Sequence, residues 1–125
     1  MIAIIDYGVG NLFSLKQSLN KIGAECIVTA KKDVINSCDK IILPGVGAFG
    51  DAIANLRKNG LDLIVLQQCA NGKPLLGICL GMQLLFEKSY EYGEHEGLGL
   101  IKGNVEPLAD YVQQLKIPHM GWNSL

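Results

Sequence analysis

Apolar residues fall along the chain in two rhythms, short unbroken runs and helical spacings, and the two alternate. Ile2-Ala3-Ile4-Ile5 is a continuous apolar run closed by Asp6 and Gly8. A short run of this kind, bounded by turn residues, predicts a strand buried on both faces. Leu12, Leu15, Leu19 and Ile22 follow at steps of three and four, one stripe of a helix that Gly23 ends. Cys26-Ile27-Val28 reads as a second strand, followed by a short polar stretch around Asp33. Lys40-Ile41-Ile42-Leu43 reads as a third, stopped by Pro44. Ala52, Ile53 and Leu56, then Leu63, Ile64, Leu66 and Cys69, mark two helical pieces broken near Gly60. Pro74-Leu75-Leu76-Gly77-Ile78 is a fourth strand, and Met82, Leu84, Leu85 and Phe86 are expected on a helix after it. Beyond Tyr90 the pattern weakens, with shorter strands expected at residues 98–101, 104–105 and 115–117.

Strands that do not alternate, separated by helices, predict a parallel sheet covered on both faces and wound by right-handed crossovers. The expected class is α/β, a doubly wound, mostly parallel sheet, with its site at the carboxyl ends of the strands. No internal repeat, low-complexity segment or linker interrupts it, so residues 1–125 read as part of one domain.

Composition narrows the function classes. The net charge is −1 and the longest basic run is Lys31-Lys32, which gives no footing to a nucleic-acid binder. No apolar stretch approaches the roughly 18 residues of a membrane span. The N-terminus has no basic region ahead of its apolar run, so it reads as a strand and the expected compartment is the cytoplasm. Cys26, Cys38, Cys69 and Cys79 form no C-x-x-C pair and no zinc spacing, so no metal site and no cofactor is expected. Three of the four sit among apolar or helical residues and read as small buried hydrophobes.

The fourth stands apart. In Gly77-Ile78-Cys79-Leu80-Gly81-Met82-Gln83 a buried strand runs into a cysteine and a helix begins at once, with glycines on both sides. That is the pattern of a nucleophile elbow, with Cys in place of Ser. A helix start beside the sulfur favours a thiolate, and the Leu80 N–H points where an oxyanion would form. The same residues also suit a buried cysteine between helix-packing glycines. Pro44-Gly45-Val46-Gly47-Ala48-Phe49-Gly50 leaves the third strand at the same sheet edge. Its glycines let backbone N–H groups approach a ligand, and it is a natural source of a second oxyanion donor, or else an ordinary turn. Asp6-Tyr7-Gly8-Val9-Gly10-Asn11 begins like a dinucleotide fingerprint, but Phe13 stands where the third glycine would be, where it would block close helix–strand packing.

Together these segments resemble the class I glutamine amidotransferases. DYGVGN at 6–11, PGVGAFG at 44–50, GICLGMQLLFE at 77–87 and PHMGWN at 118–123 resemble, within that family, the glutaminase subunit of imidazole glycerol phosphate synthase. The resemblance implies a flavodoxin-like domain in which Cys79 attacks the side-chain amide of glutamine. It implies that the N–H groups of Leu80 and Val46 hold the oxyanion and that Gly45 and Gly47 shape the loop and contact substrate. Gln83 and Glu91 would bind the amino-acid end of glutamine. Asn11, Pro118, His119, Met120 and Trp122 would face a TIM-barrel cyclase subunit in a heterodimer. That partner would use the ammonia to make imidazole glycerol phosphate and an aminoimidazole carboxamide ribotide, in histidine biosynthesis. On pattern alone, Met120 and Trp122 could equally be core residues and His119 a surface residue.

A cysteine hydrolase needs a base within reach, and the base an orienting group. The family supplies both from a late His-Pro-Glu motif, which this sequence lacks. His95 lies between Glu94 and Glu96 and reads as solvated; His119 belongs to the partner-facing segment. The expectation is a domain cut short before its triad, inactive alone. Two other readings stay open: a non-catalytic module that docks on a barrel partner, and a glutaminase or thiol enzyme of another amidotransferase or elbow family.

Overall fold

The computed structural model describes residues 1–108. Strands β1 (Ile2–Ile5), β2 (Cys26–Thr29), β3 (Lys40–Leu43) and β4 (Leu75–Gly77) form one sheet in the order β2-β1-β3-β4. All three pairings are parallel; Ile4 lies between Val28 and Ile42, and Ile42 opposite Leu76. Between β1 and β3 the winding changes direction. The loops leaving these two strands therefore lead to helices on opposite faces of the sheet.

Helices α2 (Lys32–Ser37), α3 (Phe49–Lys58) and α4 (Leu61–Ala70) build the main core against one face. Ala3, Ile5, Ile41 and Leu43 of the strands pack there with Ile35, Phe49, Ile53, Leu56, Leu61 and Val65. The alternate strand residues Ile4 and Ile42 are buried as well, which is why the runs show no period of two. Helix α1 (Leu12–Lys21) borders the opposite face. The predicted stripe is turned inward at Leu12, Leu15 and Leu19, each half-buried, while Ile22 at the helix end is exposed. The cover is partial: Leu76 stays 56% exposed beside a shallow groove lined by Ile2, Leu19, Ile42 and Pro74.

Two expectations change. The polar stretch around Asp33 is a helix, α2, pinned by Ile35 alone at full burial; one buried residue in six leaves no stripe to read. After β4 the helix α5 (Leu80–Gln83) lasts a single turn, and Phe86 begins a strand instead of extending a helix. Leu84 and Leu85 are buried, and their carbonyls accept the N–H groups of Leu98 and Ile101 at 2.8 and 2.9 Å. Distant backbone has taken the acceptors that a longer helix would use. The result is a second sheet of β5 (Phe86–Ser89), β6 (His95–Glu96) and β7 (Ile101–Val105), in the order β6-β5-β7. The strand expected at 98–101 thus starts only at Ile101 and continues through Asn104 and Val105. The strand expected at 115–117 lies outside the described residues. Among the described residues no helix is long and apolar enough to cross a membrane.

Candidate functional site

Three loops meet at the carboxyl edge of the sheet, and close backbone contacts hold them together. The loop after β1 reaches the loop after β3 at Gly10, where a Cβ would lie 3.4 Å from Gly45 N and from Pro44 Cβ. Gly10 also has φ +118, a conformation that only glycine adopts without strain. The loop after β3 in turn packs on the elbow. A Cβ on Gly45 would lie 3.0 Å from Gly81 N, and one on Gly81 would run into the Leu43 carbonyl oxygen.

The elbow itself follows from that contact. Ile78 N–H continues the β3–β4 ladder to Leu43 O at 3.0 Å, and the chain then turns within one residue. Cys79 sits at φ 54 and ψ −121, one of two described non-glycine residues with positive φ. Such a conformation costs on the order of 1–3 kcal/mol, and the surrounding structure must hold it. Gly77 permits the turn, because a Cβ there would lie 2.7 Å from Met82 Cα. Cys79 O accepts from Met82 N and Gln83 N at 3.0 and 3.2 Å, starting α5. Of the four cysteines Cys79 alone is exposed; Cys38 is buried, Cys26 and Cys69 half-buried, and burial raises the Cys69 thiol above its ordinary value.

The expected oxyanion donor behaves differently. Leu80 N–H is bonded to Gly45 O at 3.3 Å, so in this state it faces the neighbouring loop. Val46 is 59% exposed at the tip of that loop, and Gly47 beside it has φ +102. Gln83 is half-buried at the end of α5. Glu91 lines an open cleft of about 460 Å³ with Ala48, Gly50, Asp51, Tyr92 and His95. Asn11, expected at a partner surface, acts locally, since its Oδ1 accepts the Ser14 N–H at 3.2 Å and caps α1. Phe13 does not block helix–strand packing, since it is 73% exposed. Pro118, His119, Met120 and Trp122 lie outside the described residues.

Two residues of the site escaped the sequence reading. Tyr7 is buried, and its hydroxyl donates to Pro44 O at 2.5 Å. Burial pushes its pKa up to about 12, so the hydroxyl remains a donor to the rigid start of the 44–50 loop. An aromatic just past a strand signals burial, but nothing local names its acceptor 37 residues on. His95 is not a solvated loop residue. Its ring lies over Gly50, 6.5 Å from the Phe49 ring centre, and is half-buried.

A parallel sheet flanked by helices, with a strained cysteine between a glycine-packed elbow and a glycine loop, defines a class of protein. The chain belongs to the glutamine amidotransferase class-I family, whose model matches residues 3–125. It is similar to the imidazole glycerol phosphate synthase subunit HisH of Sulfurimonas denitrificans, with 52% identity over all of this chain and 61% of that relative. The HisH subunit of Bacillus licheniformis is 54% identical over all of this chain and 60% of its own length. The chain thus spans about three fifths of the curated relatives that it matches. Among solved structures, a glutamine amidotransferase crystal structure superposes with a TM-score of 0.74 at 24% identity, over 90% of this chain and 60% of the other. At that identity the likeness speaks for the fold alone.

Proposed function

We propose that this chain carries the nucleophile half of a glutaminase that supplies ammonia to a TIM-barrel cyclase subunit in the cytoplasm. The observation that carries the reading is the backbone of Cys79, an exposed thiol at φ 54 where Gly77 and Gly81 leave no room for any side chain. Strain of that kind persists only where the surrounding structure holds it, and it clusters at active sites.

In this reading the Cys79 sulfur attacks the side-chain carbonyl carbon of glutamine, the C–N bond breaks, and ammonia leaves with a proton from a base. Water then cleaves the thioester to give glutamate and the free thiol. The oxyanion is held by the N–H groups of Leu80 and Val46, which requires the Leu80 N–H to exchange its Gly45 partner for the substrate oxygen. Gly45 and Gly47 line the approach. Gln83 and Glu91 hold the amino-acid end of glutamine, a role supported by the placement of Glu91 in the cleft beside Ala48. Asn11 and the 118–122 segment meet the cyclase, which turns the ammonia into imidazole glycerol phosphate and an aminoimidazole carboxamide ribotide. The base is supplied from outside residues 1–125, so the chain by itself is inactive.

The test is to continue residues 1–125 with the C-terminal remainder of the Bacillus licheniformis relative and co-express the cyclase. Glutamate release is expected, lost on Cys79→Ser, with Cys79 the thiol labelled by a glutamine-mimicking electrophile. Equal labelling of Cys26 or Cys38, or full activity in Cys79→Ser, would sink the proposal. Glutaminase activity of residues 1–125 alone would overturn the outside base.

A further inference from the structure

The turn that carries Glu91 holds the second strained residue of the chain. Tyr92 has φ 54, followed by Gly93 at φ +106. A tyrosine gains nothing local from this conformation, so neighbouring structure must hold it. The Ser89–His95 pairing of β5 with β6 closes the loop, the Tyr90 N–H donates to Val105 O at 2.8 Å, and three side-chain ties cross the turn itself. The Lys88–Glu94 pair, 2.9 Å apart, is solvent-exposed and contributes little. The Glu91 N–H donates to Ser89 Oγ at 3.2 Å, which fixes only the entrance. The third tie is His95, whose Nε2 lies 3.3 Å from Tyr92 O. Because a carbonyl only accepts, Nε2 carries the proton in this bond.

His95 is itself anchored, and to a different part of the molecule. Its ring fills the space over Gly50, where a Cβ would lie 2.7 Å from Cε1 and 2.8 Å from Nε2. Phe49, fully buried at the start of α3, lies against the same ring. The next residues are fastened to the far end of that helix, Arg57 Nη2 donating to Glu96 O at 3.0 Å. His95 therefore joins a strained turn bearing Glu91 to the helix that begins two residues after Gly47.

We propose that His95 is a positioning residue: it locks the 90–93 turn so that Glu91 faces the cleft beside Ala48 and Gly50 at a set distance from the Gly45–Gly47 loop. This deepens the proposed function and rests on it for the identity of the bound molecule, the α-amino-acid end of glutamine. The lock acts on substrate binding and leaves the chemistry at Cys79 alone.

The test has two readouts. In the continued chain with its cyclase, His95→Ala is expected to raise KM for glutamine about tenfold while kcat stays within about twofold. His95→Gln, which puts a side-chain N–H near the position of Nε2, recovers most of that loss. Gly50→Ala, which pushes the ring aside with His95 still present, reproduces it. In residues 1–125, His95→Ala is expected to speed hydrogen exchange at Glu91, whose N–H Ser89 Oγ holds, with that of α4 unchanged. Unchanged exchange overturns the proposal, as does an unchanged KM or a parallel loss of kcat in all three variants. A continued parent chain without glutaminase activity refutes the proposed function and the substrate half of this inference together. Exchange then decides whether His95 orders the turn.

Discussion

Tyr7→Phe removes one oxygen from the base of the site, and the structure sets the size of the effect. The ring stays, so packing against the core is retained. What is lost is the donor to Pro44 O, a carbonyl on a buried proline. A buried carbonyl left without its donor costs about 1–3 kcal/mol. The titration adds an independent signature. The folded-state pKa of Tyr7 is raised from 10.0 to about 12 by burial. A raised value means that the folded state holds the proton longer than the unfolded chain does. The associated stability is complete below pH 10 and is lost as pH climbs towards 12. At pH 11 the wild-type chain should have lost on the order of 1 kcal/mol through this group. The phenylalanine variant has no such loss. Urea unfolding of the two chains from pH 7 to pH 11 is the assay. The gap should be flat to about pH 10 and then narrow. Equal stability at pH 7, or a gap that stays constant or widens above pH 10, would refute the argument.

Three further outcomes follow from the same geometry. Gly81→Ala drives a Cβ into the Leu43 carbonyl oxygen, both on backbone that cannot yield, and should cost more than about 4 kcal/mol or prevent folding. Gly72→Ala, with φ +89 but open space around it, should cost only about 1 kcal/mol; circular dichroism melts of the pair separate steric clash from backbone strain. Leu56→Ala, at full burial in α3, should lose about 2–5 kcal/mol in urea, whereas Phe13→Ser on the exposed face of α1 should stay within about 0.5 kcal/mol. In the native chain a thiol reagent should modify Cys79 first and Cys38 last, and mass spectrometry of the digested protein reads that order directly.

Much of the first 80 residues was legible from periodicity, because most elements there, α2 excepted, turn an apolar set of their own towards the sheet. Leu12, Leu15 and Leu19 carry a helix stripe, and the short apolar runs at 2–5 and 41–43, bounded by polar and turn residues, read as buried strands. The elbow pattern was legible too, with glycines at 77 and 81 around a strand-to-helix turn, although the same glycines also suited a buried cysteine. Legibility failed where partners are remote. Leu84, Leu85 and Phe86 continue a helical spacing, yet the N–H groups of Leu98, Gly99 and Ile101 claim their carbonyls and draw the chain into a second sheet. His95 stands between two glutamates and looks solvated; only the absence of a side chain at Gly50, 45 residues earlier, makes a seat for its ring.

The sequence by itself therefore determined the strands of the main sheet, three of the helices flanking it, the cysteine at its edge and the family to which the chain belongs. Those features depend on neighbours within a turn or a strand, and the order of residues records such neighbours. Tertiary structure alone decided that Tyr7 holds the Pro44 carbonyl, that Leu80 N–H rests on Gly45, and that Glu91 rides on a turn tied to His95. These depend on which loops the strand order brings to one edge, and contacts across 37 or 45 residues leave no periodic trace in the chain.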